Sequence, residues 1–249
     1  MPYAELHCQS CYSFLSGASH PHELVERAAG LGYHALATTD ECSLAGIVKA
    51  HVAAKERGIP LIVGSEFLLE EGIRLLALVP SRAAYSELSG LISLARRRSP
   101  KGEYRASLRD VIFHLKRCLL IWLPQDDSPG NRAYGLQLRR LCKNRVWLGI
   151  THLLGNNEVQ RYLALRQLAS DSGIPMVACG DVRMHCASRK PLHDVFTALK
   201  HNTSIDQLGR RRLANSQQHL RAPEQLRQLY PADLREETLH IANACHFSL

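Results

Sequence analysis

A chain of 249 residues with an apolar share of 45% suits one large domain or two small ones, and it can bury a sizeable core. No apolar run approaches the roughly 20 residues that a membrane span needs, and Met1 to Cys8 shows neither the basic start nor the apolar stretch of a secretory leader. The eight cysteines are therefore expected as free thiols in a cytoplasmic protein, and the formal charge of +8 leaves nucleic acid open as a partner.

Strand-like apolar runs alternate with helical patterns along the chain. Tyr3–Cys8 reads as a strand. Ser19 is placed to cap a helix that runs to about Leu31 and ends at Gly32. His34–Thr38 is a second strand. Ser43 is placed to cap a helix whose Ile47, Val48, His51 and Val52 recur at helical spacing before Gly58. Ile59–Leu69 and Ile73–Val79 read as strands separated by the turn at Glu70-Glu71-Gly72. A helix over 81–97, a loop with Pro100 and Gly102, and a short helix from Ser107 follow. Strand 117–123 stops at Pro124. Helix 131–142, strand 146–150, helix 156–172 and strand 174–179 continue the rhythm, and the segment 190–249 carries Pro191, Pro223 and Pro231 at expected helix starts.

Repeated βα units of this length predict a parallel α/β sheet of seven strands. Period alone does not choose between an open sheet and a closed barrel. The expected division is a barrel over 1–189 and a helical segment over 190–249. Three basic clusters, Arg96-Arg97-Arg98, Lys143-Asn144-Arg145 and Arg210-Arg211-Arg212, read as solvated faces, and would form a nucleic-acid groove only on a shared face.

Ionisable residues gather where strands should finish: His7 after the first, Asp40 and Glu41 after the second, Glu66 in the third, and Asp181, Arg183 and His185 after the last. In a parallel barrel such ends open on one face. His, Asp and Glu converging there is what a multi-metal hydrolase uses to make hydroxide near neutral pH.

The stretch Tyr3-Ala4-Glu5-Leu6-His7-Cys8-Gln9 through Tyr12-Ser13-Phe14-Leu15-Ser16-Gly17-Ala18 resembles the opening of a PHP (polymerase and histidinol phosphatase) domain. Thr39-Asp40-Glu41, with Leu44-Ala45-Gly46, is similar to its Thr-Asp-His motif. Gly64-Ser65-Glu66 is similar to its Gly-x-Glu motif, and Asp181-Val182-Arg183 to its Asp-x-His motif. Arg189-Lys190-Pro191-Leu192-His193-Asp194 and His219-Leu220-Arg221-Ala222-Pro223-Glu224 resemble the segments that follow this domain in α subunits of bacterial replicases, with the error-prone branch nearest. The resemblance implies a distorted (β/α)7 barrel with a C-terminal helical extension, at the N-terminus of a C-family DNA polymerase.

The same resemblance implies a three-metal centre, and this chain departs from it. His7, Glu66 and Asp181 stand as retained ligands. Gln9, Ser16, Glu41 and Arg183 stand where the family has other ligands, with Arg74 and Leu123 at two further positions. Gln and Ser are weak ligands, and Arg cannot ligate because its guanidinium stays protonated. The expectation is therefore no bound cofactor, or at most one weakly held divalent ion, with Arg183 and Arg74 neutralising Glu66 and Asp181. The expected role is structural, within damage-induced error-prone DNA synthesis. The polymerase core of the same chain, DNA met through that chain and a Y-family-like protein are the expected partners, with no membrane involved. Two alternatives stand beside it: a metal-dependent phosphoesterase or 3′–5′ exonuclease using His7, Glu66 and Asp181, and a basic nucleic-acid-binding module. Cys8-x-x-Cys11 without a second pair is a weak zinc signal.

Overall fold

The structure, a computed structural model, describes residues 2–249. One curled sheet of seven strands runs in the order β1 (Ala4–Glu5), β2 (Ala35–Thr38), β3 (Leu61–Leu68), β4 (Arg74–Leu78), β5 (Leu119–Trp122), β6 (Val146–Ile150) and β7 (Met176–Ala178). Helices α1 (Pro21–Gly30), α2 (Ile47–Arg57), α3 (Arg82–Arg97), α4 (Leu108–His114), α5 (Pro129–Leu141) and α6 (Glu158–Ser172) connect the strands. After β7 come α7 (Lys190–Lys200), α8 (Pro223–Leu229) and α9 (Ala232–Ala244), with the three expected prolines second in α7, first in α8 and directly before α9.

The sheet is not wholly parallel. β4 runs antiparallel to both β3 and β5, while the other neighbours are parallel. A parallel return needs a crossover of a dozen or more residues. Here the chain turns at once: Gly72, at φ 79°, donates to Leu69 O and Leu69 N donates to Ile73 O. This hairpin places Arg74 opposite Leu68, at the end where the parallel strands finish.

Side-chain alternation then sorts the residues into two apolar layers. Inside the curl lie Leu6, Ala37, Ile62, Leu76, Leu78, Ile121, Leu123, Trp147, Val177 and Cys179. The larger cluster packs the outer sheet face against the helices, with Leu36, Val63, Phe67, Leu75, Leu120, Trp122 and Leu148 meeting Leu24, Leu88, Leu138 and Leu165. Glu66 continues the inward register of Ile62 and Gly64. Arg74 precedes Leu76 and Leu78 in it, and Asp181 follows Val177 and Cys179.

The seam between β1 and β7 closes in two ways. At the mouth, Gln9 N donates to Val182 O at 2.8 Å and Val182 N to His7 O at 2.9 Å. The buried Glu5 carboxylate adds to this, accepting from Gly180 N at 2.8 Å, His7 N at 3.0 Å and Tyr3 OH at 3.0 Å. Lower down α9 fills the gap. Thr238 Oγ1 accepts from Ala4 N at 3.2 Å, and Ile241 and Ala242 join the inner cluster.

Two expected helix caps lie elsewhere. α1 begins at Pro21 with His20 as its cap residue, and Ser19 Oγ instead accepts from His185 N at 2.9 Å. α2 begins only at Ile47, and Ser43 Oγ accepts from Ala45 N within the preceding turn.

Candidate metal centre

At the mouth of the curl His7, Glu66 and Asp181 offer ligand atoms that all lie within 4.8 Å of one another. Among the described residues no other group of three or more His, Cys, Asp or Glu side chains comes together in this way. Cys8 and Cys11 do not: Cys11 Sγ lies 3.2 Å from His20 Nδ1, while Cys8 is buried in the outer cluster.

Two arginines enter the same space. Arg74 donates through Nε to Glu66 Oε1 at 2.9 Å, and its Nη2 lies 2.8 Å from that oxygen and 3.4 Å from Asp181 Oδ1. Arg183 reaches Asp181 Oδ1 at 3.2 Å through Nη2 and donates to Gln9 Oε1 at 2.8 Å through Nη1. Gln9 Nε2 in turn donates to Glu66 Oε2 at 2.8 Å, and Gln218 Nε2 donates to Asp181 Oδ2 at 2.5 Å. His7 Nε2 sits 2.6 Å from Glu66 Oε2 and 3.5 Å from Asp181 Oδ1. The contact with Glu66 needs a proton on Nε2, because an ionised carboxylate only accepts. Nδ1 of the same ring has no hydrogen-bond partner.

Two carboxylates thus face two guanidiniums and the His7 ring. Burial alone would raise the Glu66 pKa. The charges of His7, Arg74 and Arg183 outweigh it and hold the carboxyl well below the usual range. Asp181 is likewise lowered: burial and Glu66 push it up, while Arg183, His7 and Arg74 pull it further down. The neighbouring carboxylate Asp40 goes the other way. Burial raises it despite hydrogen bonds from Ser10 Oγ at 2.7 Å and Ser13 Oγ at 2.7 Å, and it holds the first loop rather than facing the centre.

As it stands, this donor set does not suit a metal ion. Arg74 Nη2 already bridges Glu66 and Asp181 as a bound cation would, and a second guanidinium stands beside it. A divalent ion would have to displace a fixed positive charge and two short hydrogen bonds. The remaining residues singled out from the sequence are placed apart from this network. The Glu41 carboxylate turns away and accepts from Tyr104 OH at 2.9 Å. Ser16 Oγ lies 3.4 Å from Lys200 Nζ. Leu123 belongs to the apolar wall inside the curl, and its amide donates to Arg74 O at 3.0 Å. The sequence reading missed Gln218, which arrives from far along the chain with no motif to mark it. It also missed Glu5, whose signal was a carboxylate inside an otherwise apolar strand.

Half of the basic residues in the three clusters serve as braces. Arg96 donates to the carbonyls of Glu41 and Cys42, Arg98 pairs with Asp110, Arg145 donates to Leu115 O and Cys118 O, and Arg212 pairs with Asp194.

Residues 5–121 match the PHP domain family. Over 249 residues the chain is 50% identical to an error-prone DNA polymerase of Saccharophagus degradans and 50% identical to one of Teredinibacter turnerae, each match covering all of this chain. Over 248 residues it is 47% identical to an error-prone DNA polymerase of Methylococcus capsulatus. The chain carries a PHP domain of the kind found in error-prone DNA polymerases. It spans 24% of the length of each of these relatives. Two solved structures share the PHP domain's architecture. One is a candidate metal-dependent phosphoesterase of Bifidobacterium adolescentis, at a TM-score of 0.54 and 19% identity over 72% of this chain and 87% of that one. The other is an amidohydrolase of Chromobacterium violaceum with bound sulfate and no metal, at 0.54 and 16% over 73% and 88%. At such identities they establish the fold alone, a distorted barrel of the TIM-like kind.

Proposed function

We propose that this PHP domain is a non-hydrolytic structural and interaction module of an error-prone translesion DNA polymerase, in which arginine ion pairs stand where metals would bind. The observation that carries this reading is the position of Arg74 between Glu66 and Asp181. A metal hydrolase of this design needs an ion to lower the pKa of a bound water and polarise a phosphoryl oxygen. Here the positive charge is a guanidinium, which cannot deliver hydroxide. Access is restricted as well: His7, Glu66 and Asp181 are 0%, 4% and 6% exposed. The large cleft at this end, about 680 Å³, is lined by residues such as Tyr12, Phe14, Glu41 and Tyr104 and by none of the three.

On this reading nucleotidyl transfer belongs to the portion of the polymerase outside this chain, the centre locks the strand ends that metals would otherwise hold, and positions 190–249 lead toward the polymerase core. DNA is met through the whole polymerase during damage-induced synthesis, a Y-family-like protein acts beside it, and the setting is the cytoplasm. The competing reading is a metal-dependent phosphoesterase or 3′–5′ exonuclease. The proximity of His7, Glu66 and Asp181 within 4.8 Å favours it.

Hydrolysis assays separate the two. The purified protein with manganese, zinc or magnesium is expected to release phosphate from phosphomonoesters, and nucleotides from DNA 3′ ends, no faster than a His7→Ala control. Robust turnover that His7→Ala abolishes would establish the phosphoesterase instead.

A further inference from the structure

The loop between α7 and α8 forms one wall of an open groove of about 570 Å³, with Lys190, Gly209, Arg212, Asn215 and Ser216 in its lining. No carboxylate lines it. Its two cations are held side by side, because Lys190 Nζ and Arg212 Nε each lie 2.8 Å from Oδ2 of the buried Asp194. One carboxylate answers two cations, so positive charge is left over at the groove. Arg210 and Arg211 follow Gly209 in the same 3₁₀ turn, both exposed and in no ion pair among the described residues.

Contacts around the groove bring further cations to the same face. Arg189, next to Lys190 in sequence, pairs with Glu23 of α1, whose Oε2 also lies 4.0 Å from His185 Nδ1. On the other side Ser216 O lies 2.6 Å from His219 Nδ1. Burial lowers the pKa of both imidazoles, and the Arg27 charge adds to the lowering at each. Arg27, one turn along α1 from Glu23, therefore stands beside them, exposed and in no ion pair among the described residues. Arg27, Arg189, Lys190, Arg210, Arg211 and Arg212 thus gather round one groove against two carboxylates, Glu23 and Asp194, both already engaged. Asp206, in the preceding turn, pairs with none of them.

The chemistry of this face selects its occupant. Unneutralised guanidiniums suit phosphate oxygens, which they meet with paired donors. No Phe, Tyr or Trp lines the groove, so it offers no platform on which the bases of a single strand would stack. Its apolar lining is confined to Leu213 and Ala214, too little for the apolar centre of a protein interface. We infer that this ring of cations is a seat for the phosphate backbone of duplex DNA, which it holds without reading sequence. The inference goes beyond the structural-module reading, since it gives the domain a DNA contact of its own. Backbone contacts of this kind fix position and orientation on a duplex and carry no sequence information. That suits a polymerase that has to work at damaged sites of any sequence.

The test uses the natural full-length chain and a labelled duplex, with affinity measured over a range of salt concentrations. Arg27→Gln, Arg210→Gln and Arg211→Gln are combined in one variant, at three exposed positions that brace nothing. Loss of three phosphate contacts should weaken binding about ten-fold near 0.1 M salt and reduce the slope of log Kd against log salt by about 2–3. The same three positions changed to Lys should keep most of the slope. A control with equal charge loss on other exposed positions, Lys55→Gln with Arg97→Gln and Lys143→Gln, should keep it too. An unchanged slope in the first variant, or an equal loss in the control, would overturn the inference. A larger loss on single strands than on duplex would overturn the duplex assignment. Contact is read directly with a photo-crosslinking p-benzoylphenylalanine in place of Arg211, or of the exposed Gln137 of α5 as a control. Position 211 should crosslink to the duplex about five-fold more than position 137, and a yield no higher than the control would count against the seat. Metal-dependent hydrolysis by the PHP centre would remove the non-hydrolytic reading and leave these binding results untouched.

Discussion

Arg74 grips Glu66 through two nitrogens on a single oxygen, Nε at 2.9 Å and Nη2 at 2.8 Å, and the same Nη2 lies 3.4 Å from Asp181. The β3–β4 hairpin makes this grip possible, because an antiparallel β4 begins where the parallel strands end. Arg74→Ala leaves two buried carboxylates short of a cation. Breaking such a pair costs on the order of 3–5 kcal/mol, read as a lower denaturation midpoint in urea at unchanged slope. Arg74→Lys keeps a charge but not the fork, and should fall between.

Arg183 matters less than Arg74. It makes one contact of 3.2 Å with Asp181, and its other hydrogen bond goes to the neutral Gln9. Arg183→Ala should cost about 1.5–3 kcal/mol, the range for hydrogen bonds to charged groups. Equal or greater damage than Arg74→Ala would show that the cation holding the pair is Arg183.

Removing the guanidinium should also uncover the latent site. Arg74→Ala is expected to bind one divalent ion through His7, Glu66 and Asp181, seen as cobalt absorption bands and a zinc-dependent rise in Tm, while the wild type shows neither. Cobalt bands of equal strength in both proteins would mean that Arg74 does not exclude the ion.

The centre also sets an acid response. Glu66 and Asp181 have folded pKa values below the ordinary carboxylate range. Their stabilisation is present above an unfolded pKa of about 4 and is lost as pH falls through the folded values. The difference in stability between wild type and Arg74→Met should therefore be constant above about pH 5 and shrink at lower pH. Taking the difference cancels Glu5 and Asp40, which burial shifts upward and which respond in the opposite sense. A difference that grows on acidification would contradict the assignment.

Glu5 tests the seam. Its carboxylate serves Gly180 N, His7 N and Tyr3 OH, so Glu5→Ala leaves three buried donors without an acceptor. At about 1–3 kcal/mol each as an upper range, this should be among the most damaging single changes in β1. Glu5→Gln keeps an oxygen at the two backbone amides and should retain most of the stability. Equal loss in both variants would place the role of Glu5 in its charge.

Much of this was legible in the sequence, for identifiable reasons. Apolar runs located the strands, glycines marked helix ends, and the order of strand-end residues brought His7, Glu66, Asp181 and Arg183 to one place. The direction of β4 was not legible from the βα rhythm, although the shortness of the Glu70-Glu71-Gly72 turn held the clue. Gln218 meets Asp181 from 37 positions away, where no local pattern marks it.

The central claim is that guanidinium charge, and not metal, holds Glu66 and Asp181 together. Elemental analysis of the purified wild-type protein, with its urea midpoint measured before and after a chelator, tests this most directly. The account predicts well under one equivalent of zinc, manganese or iron per chain and an unchanged midpoint after chelation. One or more equivalents of tightly held metal, with a midpoint that drops when it is stripped, would contradict it.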